Sequence, residues 1–319
     1  MHCELVVPGL FGATGNPRLP ALELLLARGR RQREAARTLE QWVHEAFDLG
    51  DGPFPAGALA LLGVGRDPGD AIWARADPVH LRLMRDRAVV APAEAFSISP
   101  EEAASLCDAL NRHFPGLEFT AADPTRWCAR IAEGAHDRPA LQVAGSAPDV
   151  PAQGASLLNE IQMALHEHPV NEAREARGEP AVNSVWIWGG GRALGGRSAW
   201  QSVAADDPVV LGAARLAGAR HRALPRSGGE WLDRLPDDGR HLAVIDRLRA
   251  PRALGEDVQQ IQARLERDWF APLLAGLRAG RVGMVSLHVP DGAHALSFET
   301  IRGDLRRFWR LPKAIERYA

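Results

Sequence analysis

Apolar positions along the chain alternate between short β-like runs and stretches at helical spacing. Residues 4–7 form a β-like run that enters the turn-rich segment Pro8-Gly9-Leu10-Phe11-Gly12-Ala13-Thr14-Gly15-Asn16-Pro17. Over residues 20–47, Leu22, Leu25, Leu26, Leu39 and Trp42 recur on one face opposite an arginine-rich one, which predicts a helix. Residues 48–55 break it. Residues 58–62 are apolar enough for a buried strand or helix, and residues 71–76 predict a strand that Asp77-Pro78 ends. Further on, Val89-Val90 and Phe96-Ser97-Ile98 read as short strands. Ser99-Pro100-Glu101-Glu102 starts a helix reaching Phe114, with Pro at its first position and acids in its first turn. Residues 117–121 and 127–131 read as a hairpin, 145–154 as a Gly/Pro/Ser/Ala connector and 155–168 as a helix. Then come a strand at 184–188 ending in Gly189-Gly190-Gly191, a helix near 209–217, a strand at 241–245, a long helix at 256–277, a strand at 282–288 and a terminal helix.

Strands and helices alternate in the first quarter and the last 140 or so residues, the signature of an α/β layer with a mainly parallel sheet flanked by helices. The middle reads as a smaller inserted α+β lobe. We place the core at 1–85 and 181–319 and the lobe at 86–180. A length of 319 residues accommodates that division. The net charge of −2 removes any global attraction to nucleic acid or anionic lipid, and no apolar run is long enough to span a membrane. No secretory signal precedes the first strand. Cys3, Cys107 and Cys128 are far apart and odd in number, so they read as reduced thiols of a cytoplasmic protein. Lys313 is the only lysine, and the arginine bias fits a GC-rich genome.

Three segments carry candidate chemistry. Gly12-Ala13-Thr14-Gly15, between a strand and a helix, suggests a dinucleotide phosphate loop and hence a reductase. Arg18 stands where the third glycine belongs, and Pro17 and Pro20 remove backbone donors, so a plain turn explains the segment better. Glu160, His166, Glu167 and His168 suggest a metal cluster, but His166 and His168 lack the i, i+4 spacing that puts two ligands on one helix face. Residues 168–183 pack a His, two Asn and two Arg ahead of a buried strand and a Gly-rich turn. Hydrogen-bonding groups around a strand end suit a ligand site, and they suit a polar connector equally.

This last stretch resembles the cofactor-independent (2,3-bisphosphoglycerate-independent) phosphoglycerate mutases of the archaeal type, within the alkaline phosphatase superfamily. Their motif has the form H-P-V-N-x-x-R-x-x-x-G, then P-A-N, then a strand ending R-G-x-G. His168, Pro169, Val170, Asn171, Arg174 and Gly178 match it, Pro180, Ala181 and Asn183 follow with one residue inserted, and Gly189 and Gly191 close it. Trp188 stands in place of the family's arginine. Weaker likeness extends to residues 58–63, to Gly69-Asp70 with Arg75, and to Arg85-Asp86-Arg87. The resemblance covers most of the chain, strongly at 168–191 and loosely elsewhere. It implies an alkaline-phosphatase-like sheet interrupted by a lobe.

It also implies two divalent metals held by Asp and His beside a serine nucleophile. Where the family's first strand ends in D-G, this chain has Pro8-Gly9, and the nucleophile's place falls on Phe54, followed by Pro55. The D-x-x-G-H-D element corresponds to 247–257, with Gly255-Glu256-Asp257 as a remnant, and the D-H pair falls at Leu287-His288. The resemblance therefore implies a degenerate, non-catalytic protein of a short bacterial, regulator-like branch, similar to regulators of pathogenicity factors. It would bind a small phosphorylated or carboxylate metabolite, or a protein partner, and neither nucleic acid nor membrane. His168, Asn171, Arg174, Arg177 and Asn183, with Arg75 opposite, are the candidate contacts, Arg174 serving as the anion fork. No cofactor is expected. The alternative is an active phosphoglycerate mutase or metal-dependent phosphatase using Mn or Mg. A scaffold whose cleft is filled by Trp73, Trp186 and Trp188 is a further reading.

Overall fold

Five strands run parallel through one sheet, each following the last by way of helices or longer connections. In the computed structural model, which describes all residues except 13–16, 84–87, 93–96, 132–154, 250–256 and 293–294, the chain divides into two units. The first comprises residues 1–48 and 196–319, the second residues 49–195. The first unit holds a seven-stranded sheet in the order β2-β12-β11-β1-β10-β8-β9. Its strands are β1 (His2–Val6), β2 (Arg30–Glu34), β8 (Ser202–Ala204), β9 (Arg220–Arg222), β10 (Arg240–Val244), β11 (Met284–Pro290) and β12 (Ala295–Ile301). The pairs joining β11, β1, β10, β8 and β9 are parallel, while β12 and then β2 are added at one side through antiparallel pairs.

One face of this sheet is apolar. Cys3 and Leu5 of β1, Ala243 of β10 and Leu287 of β11 join a cluster with α1 (Pro20–Arg28), α8 (Gly228–Asp233), α9 (Val258–Leu265) and α10 (Ala271–Ala279). Leu22, Leu25, Trp231, Leu265, Phe270 and Leu273 fill it. A five-residue π turn, Glu266–Phe270, joins α9 to α10 and turns Trp269 and Phe270 inward. The opposite face is polar at its centre, since alternation sends Glu4 there. Its carboxylate is 3% exposed and accepts from Arg240 Nε at 2.8 Å, with His288 Nε2 at 3.6 Å and His2 Nδ1 at 3.5 Å. Trp42 of α2 (Leu39–Ala46) stacks against His288 and Trp200. Here α7 (Pro208–Leu216) follows β8, packing on β8 and β9.

The second unit is built on β3 (Ile72–Leu83), a 12-residue strand that serves three partners. On one edge it pairs with β6 (Arg126–Ile131) and then β4 (Ala88–Pro92), and on the other with β7 (Ser184–Gly191). The hairpin partner of β6 is β5 (Glu118–Asp123). The other helices are α3 (Ala56–Gly63), α4 (Pro100–His113), α5 (Ala155–His166) and α6 (Pro169–Ala176). Leu106 and Leu110 of α4 with Ile161 and Leu165 of α5 cover one face around Trp127. On the other face α3 lies so close that a Cβ on Gly57 would stand 2.4 Å from the Ala74 backbone. The Cys128 thiol donates to the Gly57 carbonyl there.

The α/β class with a mainly parallel sheet stands as expected, together with the 118–131 hairpin, the Ser99-capped helix and the strands at 184–188 and 241–245. Several elements differ. The helix expected over 20–47 is α1, β2 and α2. A Cβ on Gly29 would meet Thr300 Oγ1 at 2.4 Å, so the chain turns against β12 there, and the arginine run becomes an edge strand. The helix restarts at Thr38, whose side chain and Gln41 form a reciprocal cap. Asp77-Pro78 does not end its strand, because Pro78 falls between the β6 and β4 pairings, where no ladder donor is required on that edge. The terminal helix is instead β12 followed by 3-10 turns at Arg302–Arg306 and Ile315–Arg317. Where a core of 1–85 and 181–319 was expected, residues 49–85 and 181–195 belong to the second unit, because β3 and β7 are strands of its sheet. Phe96, Arg85-Asp86-Arg87 and the connector at 145–154 lie outside the described residues.

The buried Glu4 gives the fold an acid dependence. Burial alone would raise its carboxyl, but hydrogen bonds from His288 and Arg240 prevail and hold it at about 2, against an ordinary 4.5. The resulting stabilisation, about 3 kcal/mol, is complete above the ordinary value and is lost as pH falls toward the folded value. Urea titrations between pH 5 and 2 are expected to show this slope in the wild type and to lack it in Glu4→Gln, a decline of about 3 kcal/mol separating the two.

Candidate functional site

Residues 168–183 fold into a helix held by its own polar side chains. His168 is the N-cap of α6, its Nδ1 accepting from Val170 N at 3.2 Å, with Pro169 at the first helical position. Burial and the nearby Arg112 charge push its imidazole below the usual range. Asn171 is buried and makes three backbone bonds, to Leu165 O (2.8 Å), Val182 O (2.9 Å) and Val182 N (2.8 Å). The Arg174 side chain is fully buried, its Nε donating to Pro180 O at 2.8 Å and its Nη1 to Glu102 Oε2 at 2.7 Å. Arg177, half exposed, donates to the other Glu102 oxygen at 2.7 Å and to Glu179 at 2.9 Å. Gly178, at φ +75°, lets the chain turn back so that Glu179 N reaches Arg174 O.

The structure thus gathers His168, Asn171, Arg174 and Arg177 on one helix, with Glu102 of α4 as the common acceptor for both arginines. Asn183 is elsewhere: its amide bonds both Leu81 N (2.7 Å) and Leu81 O (2.9 Å), fastening the entry of β7 to β3. Arg75 belongs to a second group. Buried at 4% exposure, it donates to Asp77 and lies over the Trp188 ring at 5.5 Å, while Trp188 Nε1 donates to Asp77 Oδ2 at 2.8 Å. Trp188 therefore holds the acid that neutralises Arg75. Residue patterns alone missed Glu102 and Asp77 as partners; the signal was a general one, that a buried arginine requires a carboxylate. A cleft of about 850 Å³ in this unit is lined by Asp67, Asp70, Trp73, Glu118, Arg130 and Arg192 among others, and none of the six nominated residues lines it. Arg192 donates to Asp70 O, and Arg130 pairs with Glu118.

In the first unit, β8 leads through α7 to β9, and β10 leads through α9 and α10 in the opposite direction to β11. Open α/β sheets bind ligands at such a reversal, beyond the strands' carboxyl ends. Asp206, Asp207, Asp246, Arg247 and Arg249 stand there. Asp207 caps α7 through Val209 N at 2.7 Å, Asp206 accepts from Leu224 N at 3.1 Å, and Arg249 pairs with Glu40. At the end of central strand β1 the chain presents Pro8 and Gly9, and Gly9 (φ +77°) is pressed against the Leu248 carbonyl. Ahead of α3 stand Phe54 and Pro55. Leu287 is buried in the apolar cluster and His288 faces Glu4. The side chains of proline, phenylalanine and leucine offer no donor to a cation, so none of Pro8, Phe54 and Leu287 fits a role as side-chain ligand to a divalent ion. Among the described residues no group of three His, Cys, Asp or Glu has metal-binding geometry. Asp257 N-caps α9, while 250–256 lie outside the described residues.

The glycine segment 12–15 lies mostly outside the described residues, but the helix it precedes does not. The first turn of α1 is filled by a carboxylate of the chain itself, with Glu266 accepting from Ala21 N at 2.6 Å and Leu22 N at 3.1 Å. A pyrophosphate would need that place. Of the candidate metal cluster, His166 ends α5 and His168 caps α6. All three cysteines are buried, and burial pushes their thiols up to about 12.

The sequence matches no family profile and no curated protein. Among solved structures the chain is similar to the PH0037 protein from Pyrococcus horikoshii, with a TM-score of 0.58 and 15% identity over 94% of this chain and 87% of that one. The two share a fold. A cofactor-independent phosphoglycerate mutase from Thermoplasma acidophilum is similar at a TM-score of 0.45 and 17% identity, over 94% of this chain and 90% of that one.

The geometry separates structural from ligand-binding roles. Glu102→Ala removes the carboxylate facing a fully buried guanidinium and is expected to lower the unfolding free energy by about 3 kcal/mol or more. Arg177→Ala, at a half-exposed position, is expected to leave the urea midpoint essentially unchanged. Equal midpoints for both variants would show that the Glu102–Arg174 pair does not hold the lobe.

Proposed function

We propose that this chain is a phosphoglycerate-mutase-like protein, alkaline-phosphatase-like in fold, that does not transfer phosphate and acts by binding in a regulatory role. The observation that carries the reading is the pair of positions Pro8-Gly9, at the end of the central strand, and Phe54-Pro55, ahead of α3. The resemblance places a metal-binding acid at the first and a nucleophilic serine at the second. Proline cannot ligate a divalent ion and phenylalanine cannot accept a phosphoryl group. The retained 168–191 motif supports descent from the mutase pattern, and here it works as architecture, with its arginine and asparagines bonded inside the chain. The reading takes the ligand to be a small phosphorylated or carboxylate metabolite, which would meet the half-exposed Arg177 by displacing it from Glu179, and sets the protein in the cytoplasm of a bacterium. It needs no metal or cofactor.

A second reading, an active mutase or metal-dependent phosphatase with a rearranged site, is favoured by Asp206, Asp207 and Asp246 following the ends of the neighbouring strands β8 and β10, although the three do not group as metal ligands. One experiment separates the two. Metal-stripped protein, with and without added Mn²⁺, is assayed for conversion of 3-phosphoglycerate to 2-phosphoglycerate, and the same preparation is melted with and without 3-phosphoglycerate. The expected result is no turnover above the blank and a ligand-dependent rise in melting temperature that Arg177→Ala abolishes. Mn²⁺-dependent turnover would overturn the non-catalytic reading. Absence of any thermal shift would remove the metabolite from it.

A further inference from the structure

Strand β2 is the outermost strand on its side of the seven-stranded sheet, and among the described residues it pairs with β12 alone. Its sequence is Arg-Arg-Gln-Arg-Glu, with Arg30, Arg31 and Arg33 exposed. An edge strand presents unpaired N–H and C=O groups to any extended chain that approaches, and charges on it select which chain can. This concentration of arginine lies on a protein whose net charge is −2.

Beside the start of β2 runs the segment 302–313, and the two are bonded together. Arg307 Nη1 donates to Arg28 O at 3.1 Å, Arg310 Nη1 to Gly29 O at 3.0 Å, and Arg28 donates to Leu305 O. Asp304 accepts from Ile301 N at 3.1 Å and pairs with Arg307 at 2.8 Å. On this fastened backbone Phe308, Trp309 and Leu311 point outward at 73%, 67% and 70% exposure, with Phe308 and Trp309 meeting edge-on at 5.3 Å. A frayed end would not be held by so many bonds. Three large apolar side chains held in water, with exposed Arg302, Arg306, Arg310 and Lys313 around them, have the composition of an interface core inside a basic rim.

We propose that the free edge of β2 and the Phe308–Trp309–Leu311 cluster together form a docking surface for an extended acidic segment of a protein partner. The segment adds to the sheet as a strand beside β2, its carboxylates facing the arginines and an apolar side chain covering Trp309. Charge selects this occupant. A second copy of the chain, pairing its own β2 antiparallel about Gln32, would set Arg31 against Arg33 at both crossings, and the Arg30–Glu34 pairs of the same register would have to compete with Arg37 for Glu34. A single-stranded nucleic acid could use the arginines and aromatics but has no use for the main-chain edge. The inference stands independently of the mutase likeness.

The test uses the full chain and fluorescence anisotropy of a labelled octapeptide of alternating Glu and Val. A Lys–Val peptide, a Glu–Pro peptide and a labelled oligo-dT serve as comparisons. The Glu–Val peptide is expected to bind, and the Glu–Pro peptide, which keeps the charge but loses every second main-chain donor and cannot lie as a regular strand, to bind about tenfold more weakly or less. The double variant Arg31→Glu/Arg33→Glu is expected to weaken the Glu–Val peptide by about tenfold or more. Trp309→Ser is expected to weaken it severalfold. All three positions are exposed, and unchanged melting curves would verify the fold. Failure of the Glu–Val peptide to bind, equal binding by the double variant, or equal binding of the Glu–Pro peptide would each overturn the proposal. So would tighter binding of oligo-dT than of the peptide, which would make the surface one for nucleic acid.

Discussion

A fully buried guanidinium must have a carboxylate, and in the second unit Arg174 has Glu102. That one pairing ties α6 to α4. It requires the α4 N-terminus to stay where Ser99 and Glu102 cap it reciprocally, so a local helix start and a long-range ion pair share one side chain. Desolvating the arginine costs more than a surface pair could return, and the Pro180 carbonyl takes up part of the difference by accepting from Nε. The turn at Gly178 brings that carbonyl back, and Asn171 and Asn183 then fasten the returning chain to backbone on either side.

The same demand organises the first unit with different residues. Glu4, facing the polar side of a parallel sheet, is matched by Arg240, His2 and His288 from its own and the two neighbouring strands. Glu266, presented by a π turn, supplies the acceptor that the first N–H groups of α1 lack. In both places a residue type that carries catalysis elsewhere satisfies a buried polar group. A histidine, an asparagine or an acid in this chain is informative about function only after its internal partners have been counted.

How much was legible follows from the range of the signal. The Ser-Pro-Glu-Glu helix start, the 118–131 hairpin and the strand closing on Gly189-Gly190-Gly191 are written in neighbouring residues, and they stand. The break at Gly29 is not local. Its cause is Thr300, and helical spacing continues on both sides of it. Pro78 was similarly misleading, since whether a proline ends a strand depends on which partner strand faces its nitrogen. In the site, the motif's residues were legible and their grouping was not. His168, Asn171, Arg174 and Arg177 share the helix α6 where a loop-rich segment was expected, and Arg75 meets Trp188 and Asp77, a contact that only the β3–β7 register creates.

The two units therefore differ in what their polar residues are free to do. Around α6 the charged groups largely close on one another, and among the described arginines there Arg177 and Arg112 reach solvent. Along β2 and residues 302–313 the arginines that face solvent outnumber nearby acids, and the apolar groups among them are exposed despite a firmly bonded backbone. Where internal satisfaction is complete, a chain has built structure. Where it is incomplete on a rigid support, the missing partner lies in another molecule. By that criterion the outward chemistry of this protein is weighted toward its sheet edge.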